Sequence, residues 1–278
     1  MAARNNLMTV FTKPWPEKSL AELADFVVAL GLDGVELPVR PGFQVPPEKV
    51  SSDLPRAARI FKEHGAAIRS VAGPEDEPTI RAMGEAGIPI LRVMAKIDMK
   101  VGYMASIDAH RRRWDSLVPA LEKHKVTIGV QNHCDYSVGS AIGLVHLIGK
   151  YELRHVAAVL DPAHCGLDGE PDDMAIDIAW PHLALVNLKS AFWRMASGPE
   201  AEDVEWRKYW TTGRYGITSW PKVIRELSRR GYKGDYCLTA EYSNPDGSGD
   251  LKGNAVNRLI TEDVALARSL ISENPSRG

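Results

Sequence analysis

Short apolar or β-branched runs alternate with amphipathic helical stretches from one end of this 278-residue chain to the other. Eight runs have the length and composition of buried strands, and each is followed by a helical pattern. Their starts recur about every 30 residues, the length of a βαβ unit, so the pattern predicts parallel strands joined by crossover helices. The predicted strands are Leu7–Phe11, Gly34–Leu37, Ala67–Val71, Ile90–Met94, Thr127–Gln131, Val156–Asp161, Leu183–Lys189 and Tyr236–Ala240.

This alternation favours an α/β fold, a single (β/α)8 TIM barrel domain over residues 1–278, because no composition shift or Ser/Gly-rich linker divides the chain. A doubly wound open sheet is the alternative. It usually has a Gly-rich turn after the first strand, where FTKPWPEKS stands here. The long, aromatic connection after strand 7, between Lys189 and Trp220, predicts a lid or binding segment on the face where barrel active sites are built.

The composition excludes several classes of protein. Lys and Arg number 34 against 36 Asp and Glu, a balance that argues against a strongly basic nucleic-acid binder. The amino-terminal MAARNNLMTVFTKPW lacks the apolar run of a secretory signal, and no stretch approaches the roughly 18 apolar residues of a membrane span. Three cysteines do not make a disulfide framework. We therefore expect a cytoplasmic globular protein with no nucleic-acid and no membrane partner.

Polar residues collect at the predicted carboxyl ends of several strands. In a barrel these ends meet at one mouth, so the side chains are expected to form a substrate site. Burying so many polar groups without a function would be costly unless each is hydrogen-bonded. The residues are Glu36, Gln131, Asn132, His133, Asp161, His164, Asn187, Lys189 and Glu241.

Five segments together resemble the sugar phosphate isomerase/epimerase group of xylose-isomerase-like barrels: LGLDGVEL, GVQNH, LDPAH, VNLKS and TTGRYGITSWPKVIRELSRRGYKGDYCLTAEY. The resemblance covers nearly the whole chain. It implies a site for Mn²⁺, Mg²⁺, Co²⁺ or Zn²⁺ formed by a Glu, an Asp, a His and a Glu on strands five to eight. Carried over by position, these ligands are Gln131, Asp161, Asn187 and Glu241.

Two of these positions depart from the family pattern, because Gln131 and Asn187 can coordinate only through a neutral carbonyl oxygen. This change should weaken the binding of a transition metal. A metal site made of Asp161, Glu241 and Gln131 is one expectation. A second expectation is a relocated zinc site with nitrogen, oxygen and sulfur ligands. The alternative is that the two cysteines of this site are small buried residues without a metal. The zinc ligands would come from His133, Cys134, Asp161, His164 and Cys165.

The resemblance also implies proton transfer beside a carbonyl group, passed between two metal-bound glutamates. Gln131 cannot accept a proton, so Glu241 is the expected general base. His133 or His164 is expected to act as the opposing acid or base, because imidazole titrates near neutral pH. Lys189 is expected to stabilise the enediolate oxyanion, a role that the metal charge would otherwise fill.

The expected substrate ligands combine polar groups with an aromatic surface. Near the end of the fourth strand, Lys96 is preferred over Arg92 as a ligand for an anionic group. Trp193 would offer an apolar face to a sugar, and Arg194 would hold an anionic group. The full expected set is Glu36, Lys96, Gln131, Asn187, Trp193 and Arg194.

These residues predict an isomerase or epimerase of a small sugar, keto-sugar or polyol, working as a homodimer or homotetramer on a small-molecule carbohydrate substrate. Two alternatives remain: a dehydratase or decarboxylase of a keto-sugar acid or keto-inositol, and a sugar-binding protein on a decayed catalytic site. A DNA-repair endonuclease is disfavoured, because that chemistry needs a metal cluster rich in His and carboxylates.

Overall fold

Eight parallel strands close into a barrel in the computed structural model, which describes residues 6–275. Residues 1–5 and 276–278 lie outside the described residues. The first five belong to the amino-terminal segment in which the sequence predicts no secretory signal. The closed sheet confirms the predicted (β/α)8 barrel. Its strands are β1 (Met8–Phe11), β2 (Gly34–Pro38), β3 (Ala67–Ala72), β4 (Ile90–Met94), β5 (Thr127–Gln131), β6 (Val156–Leu160), β7 (Leu183–Leu188) and β10 (Asp235–Leu238). A separate two-stranded sheet consists of β8 (Ser190–Met195) and β9 (Trp206–Thr211).

Helices surround the barrel between its strands. In chain order they are α1 (Leu20–Ala29), α2 (Val50–Glu63), α3 (Glu77–Ala86), α4 (Tyr103–His124), α5 (Ala141–Ile148), α6 (Pro162–Leu167), α7 (Asp172–Ala179), α8 (Trp220–Arg229) and α9 (Asn254–Glu273). Ser19 begins α1 with a capping box, in which its hydroxyl accepts from the Glu22 amide and the Glu22 carboxylate accepts from the Ser19 amide. None of the helices within residues 6–275 is long and apolar enough to cross a membrane.

The long connection after β7 is largely an ordered antiparallel hairpin, in which β8 pairs with β9. Phe192 stacks on Tyr209 across the hairpin, with ring centres 5.5 Å apart. At its base, the buried indole of Trp220 donates a hydrogen bond to the Lys189 carbonyl oxygen at 2.9 Å. The stacked pair therefore stabilises the hairpin itself, and Trp220 fixes its base beside β7.

A small apolar cluster fills the barrel below the mouth. A Cβ atom on Gly129 would lie 2.7 Å from Val159 Cγ2 and 2.8 Å from Ile90 Cγ2, so only glycine fits at that position of β5. Side chains alternate along a strand, so Gln131 points to the same side as Gly129, two residues nearer the mouth. The cluster consists of Phe11, Ala72, Val159, Leu185 and Cys237, with Ile90 packed against it.

Asp263 on α9 connects the end of the hairpin segment to the residues after β10. Its carboxylate accepts hydrogen bonds from the Gly213 amide and the Tyr242 hydroxyl, both at 2.8 Å. Burial raises the pKa of Asp263 to about 7, although these two hydrogen bonds lower it. The folded protein therefore keeps a proton on Asp263 at pH values where an unfolded chain has released it.

We predict that Asp263→Asn flattens the pH dependence of stability. Between about pH 4 and pH 7 the folded state binds one proton more than the unfolded state at this residue, so stability falls as pH rises. The slope from this group is at most about 1.4 kcal/mol per pH unit. Asn retains groups that can serve both hydrogen bonds. Urea unfolding of wild type, Asp263→Asn and Glu63→Gln, an exposed control on α2, measures the difference across this range. Parallel curves for wild type and Asp263→Asn would contradict the prediction.

Candidate active site

A cavity of about 90 Å³ lies at the carboxyl ends of the barrel strands. The sequence predicts six of its lining residues as site residues: Glu36, Gln131, His133, Asn187, Lys189 and Glu241. Two more predicted site residues, Asp161 and His164, are fully buried and do not line it. The other lining residues are Phe11, Lys13, Arg40, Arg92, Met94 and Thr239.

Two ammonium groups hold the Glu241 carboxylate, which follows β10. Lys189 Nζ donates to Oε2 at 2.6 Å, and Lys13 Nζ donates to Oε1 at 2.5 Å. The Lys189 ammonium also lies 3.6 Å from the centre of the Trp210 ring. Burial alone would raise the pKa of Glu241, but Lys189 and Lys13 outweigh it and hold that pKa well below its usual range. Glu241 is therefore ionised at neutral pH, with a buried cation beside it.

A second chain of hydrogen bonds crosses the mouth from Glu36 to Asp161. Arg92 donates through Nε to Glu36 and through Nη1 to the Gln131 carbonyl oxygen, both at 2.6 Å. Gln131 in turn donates through Nε2 to Asp161 Oδ2 at 2.8 Å. Glu36 also accepts from the Ser70 hydroxyl at 3.0 Å. Each buried group in this chain has a partner, as burial requires.

His133 and His164 lie with their ring centres 4.0 Å apart. His164 Nδ1 accepts from the Cys134 amide at 3.2 Å, so the neutral ring carries its proton on Nε2, 3.6 Å from Asp161 Oδ2. His133 Nδ1 lies 2.9 Å from the Cys134 carbonyl oxygen and must donate to it, which leaves Nε2 as an acceptor. Burial lowers the pKa of both rings, most strongly for His164, so both are neutral at pH 7.

Asn187 presents an unsatisfied acceptor to the cavity. Its side-chain oxygen is buried and, among the described residues, has no hydrogen-bond partner. Leaving such a group unpaired costs on the order of 1–3 kcal/mol. A substrate hydroxyl that donates to this oxygen would remove the cost, which favours the predicted role of Asn187 in substrate binding.

Three predicted substrate ligands lie away from this cavity. Lys96 is exposed beyond the end of β4. Trp193 on β8 donates its indole N–H to the Leu167 carbonyl oxygen at 3.0 Å, and Arg194 places its guanidinium 5.6 Å from the centre of the Tyr209 ring. None of the three lines the central cavity, and their roles stay predictions.

Three cationic residues that line the cavity are absent from the predicted set: Lys13, Arg40 and Arg92. Lys13 lies two residues after the end of β1, and Arg40 lies two residues after the end of β2. A position close to the carboxyl end of a strand is the same signal that predicts the other site residues. Arg92 has a different signal. Alternation puts Arg92 on the same face of β4 as Ile90, which packs against the interior cluster, and so directs Arg92 towards the barrel axis.

The donors at the four family positions do not fit a divalent cation. Both oxygens of Glu241 accept from lysines, and Gln131 turns its N–H group towards Asp161 while its oxygen accepts from Arg92. Burial raises the pKa of Asp161 to about 6, so this carboxylate binds protons more readily than a typical metal ligand. A divalent cation bound by Glu241 and Asp161 would have to displace the Lys13 and Lys189 ammonium groups from Glu241. It would also have to compete with the Gln131 amide for Asp161.

The relocated zinc site has three of its expected donors close together. The ligand atoms of His133, Cys134 and His164 all lie within 4.8 Å of one another. However, burial raises the pKa of the Cys134 thiol to about 11, and Lys208 Nζ donates to its sulfur at 3.3 Å. A metal ligand is the thiolate, so zinc would have to displace both a proton and Lys208. This site stays a prediction.

We predict that Arg92→Lys destabilises the protein by about 1.5–3 kcal/mol, the range for a lost hydrogen bond to a charged group. Lysine keeps the positive charge, but its single ammonium cannot reproduce the two directed contacts with Glu36 and Gln131. Denaturant unfolding of wild type, Arg92→Lys and Arg59→Lys measures the effect. Arg59 is exposed on α2 and its replacement should change stability by less than about 0.5 kcal/mol. Equal stability of all three proteins would contradict the prediction.

Fold and mouth together define a parallel barrel whose strand ends carry a buried acid–base cluster. The chain belongs to the xylose isomerase-like TIM barrel family, whose model matches residues 24–269. A search of curated proteins finds no match.

Solved structures of similar fold include a sugar epimerase, a barrel protein in complex with magnesium and a probable dehydratase. A D-psicose 3-epimerase in the presence of D-fructose is 14% identical, with a TM-score of 0.70 over 98% of this chain and 100% of that chain. A xylose isomerase-like barrel of Mycobacterium smegmatis in complex with magnesium is 14% identical, with a TM-score of 0.70 and 99% of each chain covered. The probable 3-DHS dehydratase AsbF of Bacillus anthracis is 11% identical, with a TM-score of 0.66 over 94% of this chain and 98% of that chain. At these identities the likeness shows the fold alone.

Proposed function

We propose that the chain is an isomerase or epimerase that moves a proton at the carbon beside the carbonyl group of a small sugar or keto-sugar. The observation that carries this proposal is the contact of Lys189 with Glu241, 2.6 Å apart at the cavity. It puts a cation that can receive a developing oxyanion beside a carboxylate that can take a proton. Family membership and the sugar epimerase among the fold neighbours support the substrate class.

Substrate binding would activate the base. Without substrate, both Glu241 oxygens accept hydrogen bonds from lysines, so its low pKa makes it a weak base. A substrate carbonyl oxygen beside Lys189 competes with Glu241 for the ammonium. As Lys189 turns to that oxygen, burial raises the pKa of Glu241 and strengthens the base. Proton removal then leaves the enediolate oxygen next to Lys189.

His133 would act on the opposite face of the substrate. Its neutral ring borders the cavity and leaves Nε2 as an acceptor, so it can take a proton and return it. His164 does not line the cavity; its contact with the His133 ring would hold that ring in place. Asn187 and Glu36 would bind substrate hydroxyls.

Hydrogen exchange tests this function. The protein is incubated in D₂O with a panel of keto-hexoses and keto-sugar acids, and proton NMR follows the hydrogen on the carbon beside the carbonyl group. We expect loss of that signal together with the spectrum of a new isomer. Binding without exchange across the panel would instead favour the non-catalytic sugar-binding alternative.

A lyase remains the second candidate, because a dehydratase is among the fold neighbours and its reaction can begin with the same proton removal. Mass spectrometry of parallel incubations in H₂O, with a keto-sugar acid and a keto-inositol as substrates, distinguishes the two functions. Loss of water or CO₂ would identify the lyase, and a product of unchanged mass would identify the isomerase or epimerase.

In this proposal Lys189 supplies the positive charge that Mn²⁺, Mg²⁺, Co²⁺ or Zn²⁺ would supply at the family positions. Elemental analysis after dialysis is expected to find far less than one divalent ion per chain. A stoichiometric metal lost in Asp161→Asn would overturn this view, and one lost in Cys134→Ser would establish the relocated zinc site instead.

The proposed setting is the cytoplasm. The three cysteines, Cys134, Cys165 and Cys237, are free and buried, as expected of a reducing compartment. A homodimer or homotetramer is expected from the family resemblance, and light scattering coupled to gel filtration measures the assembly.

A further inference from the structure

Arg40 is a half-buried cation whose guanidinium makes no hydrogen bond and no ion pair within residues 6–275. It follows β2 and lies 5.6 Å from the centre of the Phe11 ring. The Arg92 guanidinium lies 4.7 Å from the centre of the same ring. Burial and the positive charge of Arg92 lower the pKa of Arg40, so the folded protein holds this charge at a cost that a bound anion would offset.

The other cations that line the cavity each contact a carboxylate. Lys13 and Lys189 both contact Glu241, and Arg92 contacts Glu36. The lining thus has four cationic and two carboxylate side chains, an excess of two positive charges. Arg40 is the lining cation that no carboxylate contacts among the described residues.

The two arginines also border a neighbouring cavity of about 300 Å³. Glu75 lines this second cavity, but its carboxylate accepts from the Trp114 indole at 2.6 Å and lies 3.8 Å from Arg113. The lining is otherwise mostly apolar: Val39, Pro41, Pro47, Gly73, Pro74, Val93 and Met94. Arg40 and Arg92 are therefore the cations facing the boundary between the reaction cavity and a larger adjoining space.

Arg92 has donor capacity left at that boundary. Its Nε and Nη1 atoms donate to Glu36 and Gln131, and Nη2 has no partner among the described residues. Guanidinium groups match the planar geometry of a carboxylate with parallel N–H donors. The Arg40 guanidinium and the Nη2 group of Arg92, both unpaired within residues 6–275, together offer the donors that one planar carboxylate accepts, and the binding test below separates a carboxylate from a phosphate ester.

We propose that the substrate is a keto-sugar acid whose carboxylate binds between Arg40 and Arg92, with its carbonyl end at Lys189 and Glu241. The proposal depends on the function proposed above for the cavity and specifies its substrate class. Arg40 selects the acid over the corresponding neutral sugar, and the neighbouring cavity holds the carboxylate-bearing end.

Isothermal titration with three probes tests the selection: 5-keto-D-gluconate, D-fructose and D-fructose 6-phosphate. Wild type is expected to bind the keto acid at least about tenfold more tightly than D-fructose, the effect of one charged hydrogen bond. Arg40→Met should lose this preference while keeping its affinity for D-fructose, and Arg40→Lys should keep part of it. Arg59→Met, which removes an exposed arginine from α2, should behave as wild type.

Several results would overturn the proposal: no binding of the keto acid, equal affinity for acid and neutral sugar, tighter binding of the phosphate ester, or an unchanged preference in Arg40→Met. Thermal melting verifies that each variant is folded. Because binding is measured without turnover, the two proposals fail separately. Arg40-dependent binding without hydrogen exchange would reject the reaction alone, and exchange confined to neutral sugars would reject the acid site alone.

Discussion

Glu241→Gln is expected to lower turnover by about 10²–10⁴-fold, the range for loss of a general base. Glutamine has nearly the shape of glutamate but cannot accept the substrate proton at physiological pH. Its carbonyl oxygen can still accept a hydrogen bond from Lys189 or Lys13, so the barrel should remain folded. The buried Lys189 ammonium loses its charge partner, which should also lower stability. Hydrogen exchange in D₂O measures the reaction, and thermal melting measures the stability.

Asp250→Asn provides the matched control for this substitution. Asp250 is the other carboxylate near Lys13, at 3.9 Å, and it does not line the reaction cavity. Its replacement removes one negative charge from the same neighbourhood, so exchange should stay close to the wild-type rate. Unchanged exchange in Glu241→Gln would remove Glu241 from the mechanism, and an equal loss in both variants would point to a general effect of charge.

The barrel could be predicted because its repeat is local. Each strand is a short apolar run followed by an amphipathic helix, and β4 and β5 begin and end where the sequence predicts. Two other elements have no such local pattern. Helix α6 has six residues, which are too few for a periodic pattern. It begins at Pro162, and its N-cap residue Asp161 accepts a hydrogen bond from the Ala163 amide. The hairpin of β8 and β9 depends on pairing across a long connection.

Strand-end position predicts half of the residues that line the cavity, but it does not predict their pairings. Strand-end position identifies Glu241 and Lys189, yet nothing local in the sequence shows that Lys13 contacts Glu241 from 228 residues away. That contact exists because β1 and β10 are neighbours where the barrel closes. Whether Arg92 or Lys96 lines the cavity likewise depends on where β4 ends and which face of it points inward. Arg92 lies on the inner face of β4, and Lys96 lies two residues beyond the end of the strand.

Lys189→Met is expected to lower kcat by about 10²–10³-fold, the effect of removing one group that stabilises a developing oxyanion. Methionine keeps much of the length and apolar volume of the lysine side chain, including its contact with Trp210, but has no charge. If Lys189 acts on the oxyanion, the loss should appear mainly in kcat. A lysine that only bound substrate would change KM instead.

The pH profile of Lys189→Met distinguishes a role in the reaction from a purely structural one. In wild type, Lys189 and Lys13 hold the pKa of Glu241 well below its usual range, so free Glu241 stays ionised over the working pH range. Removing Lys189 lets burial raise that pKa, with Lys13 as the remaining ammonium. Because the base works only when ionised, kcat/KM should then fall on acidification at a higher pH than in wild type. The exposed Lys123→Met control should keep the wild-type profile. An unshifted acidic limb in Lys189→Met would show that Lys189 does not set the ionisation of the base.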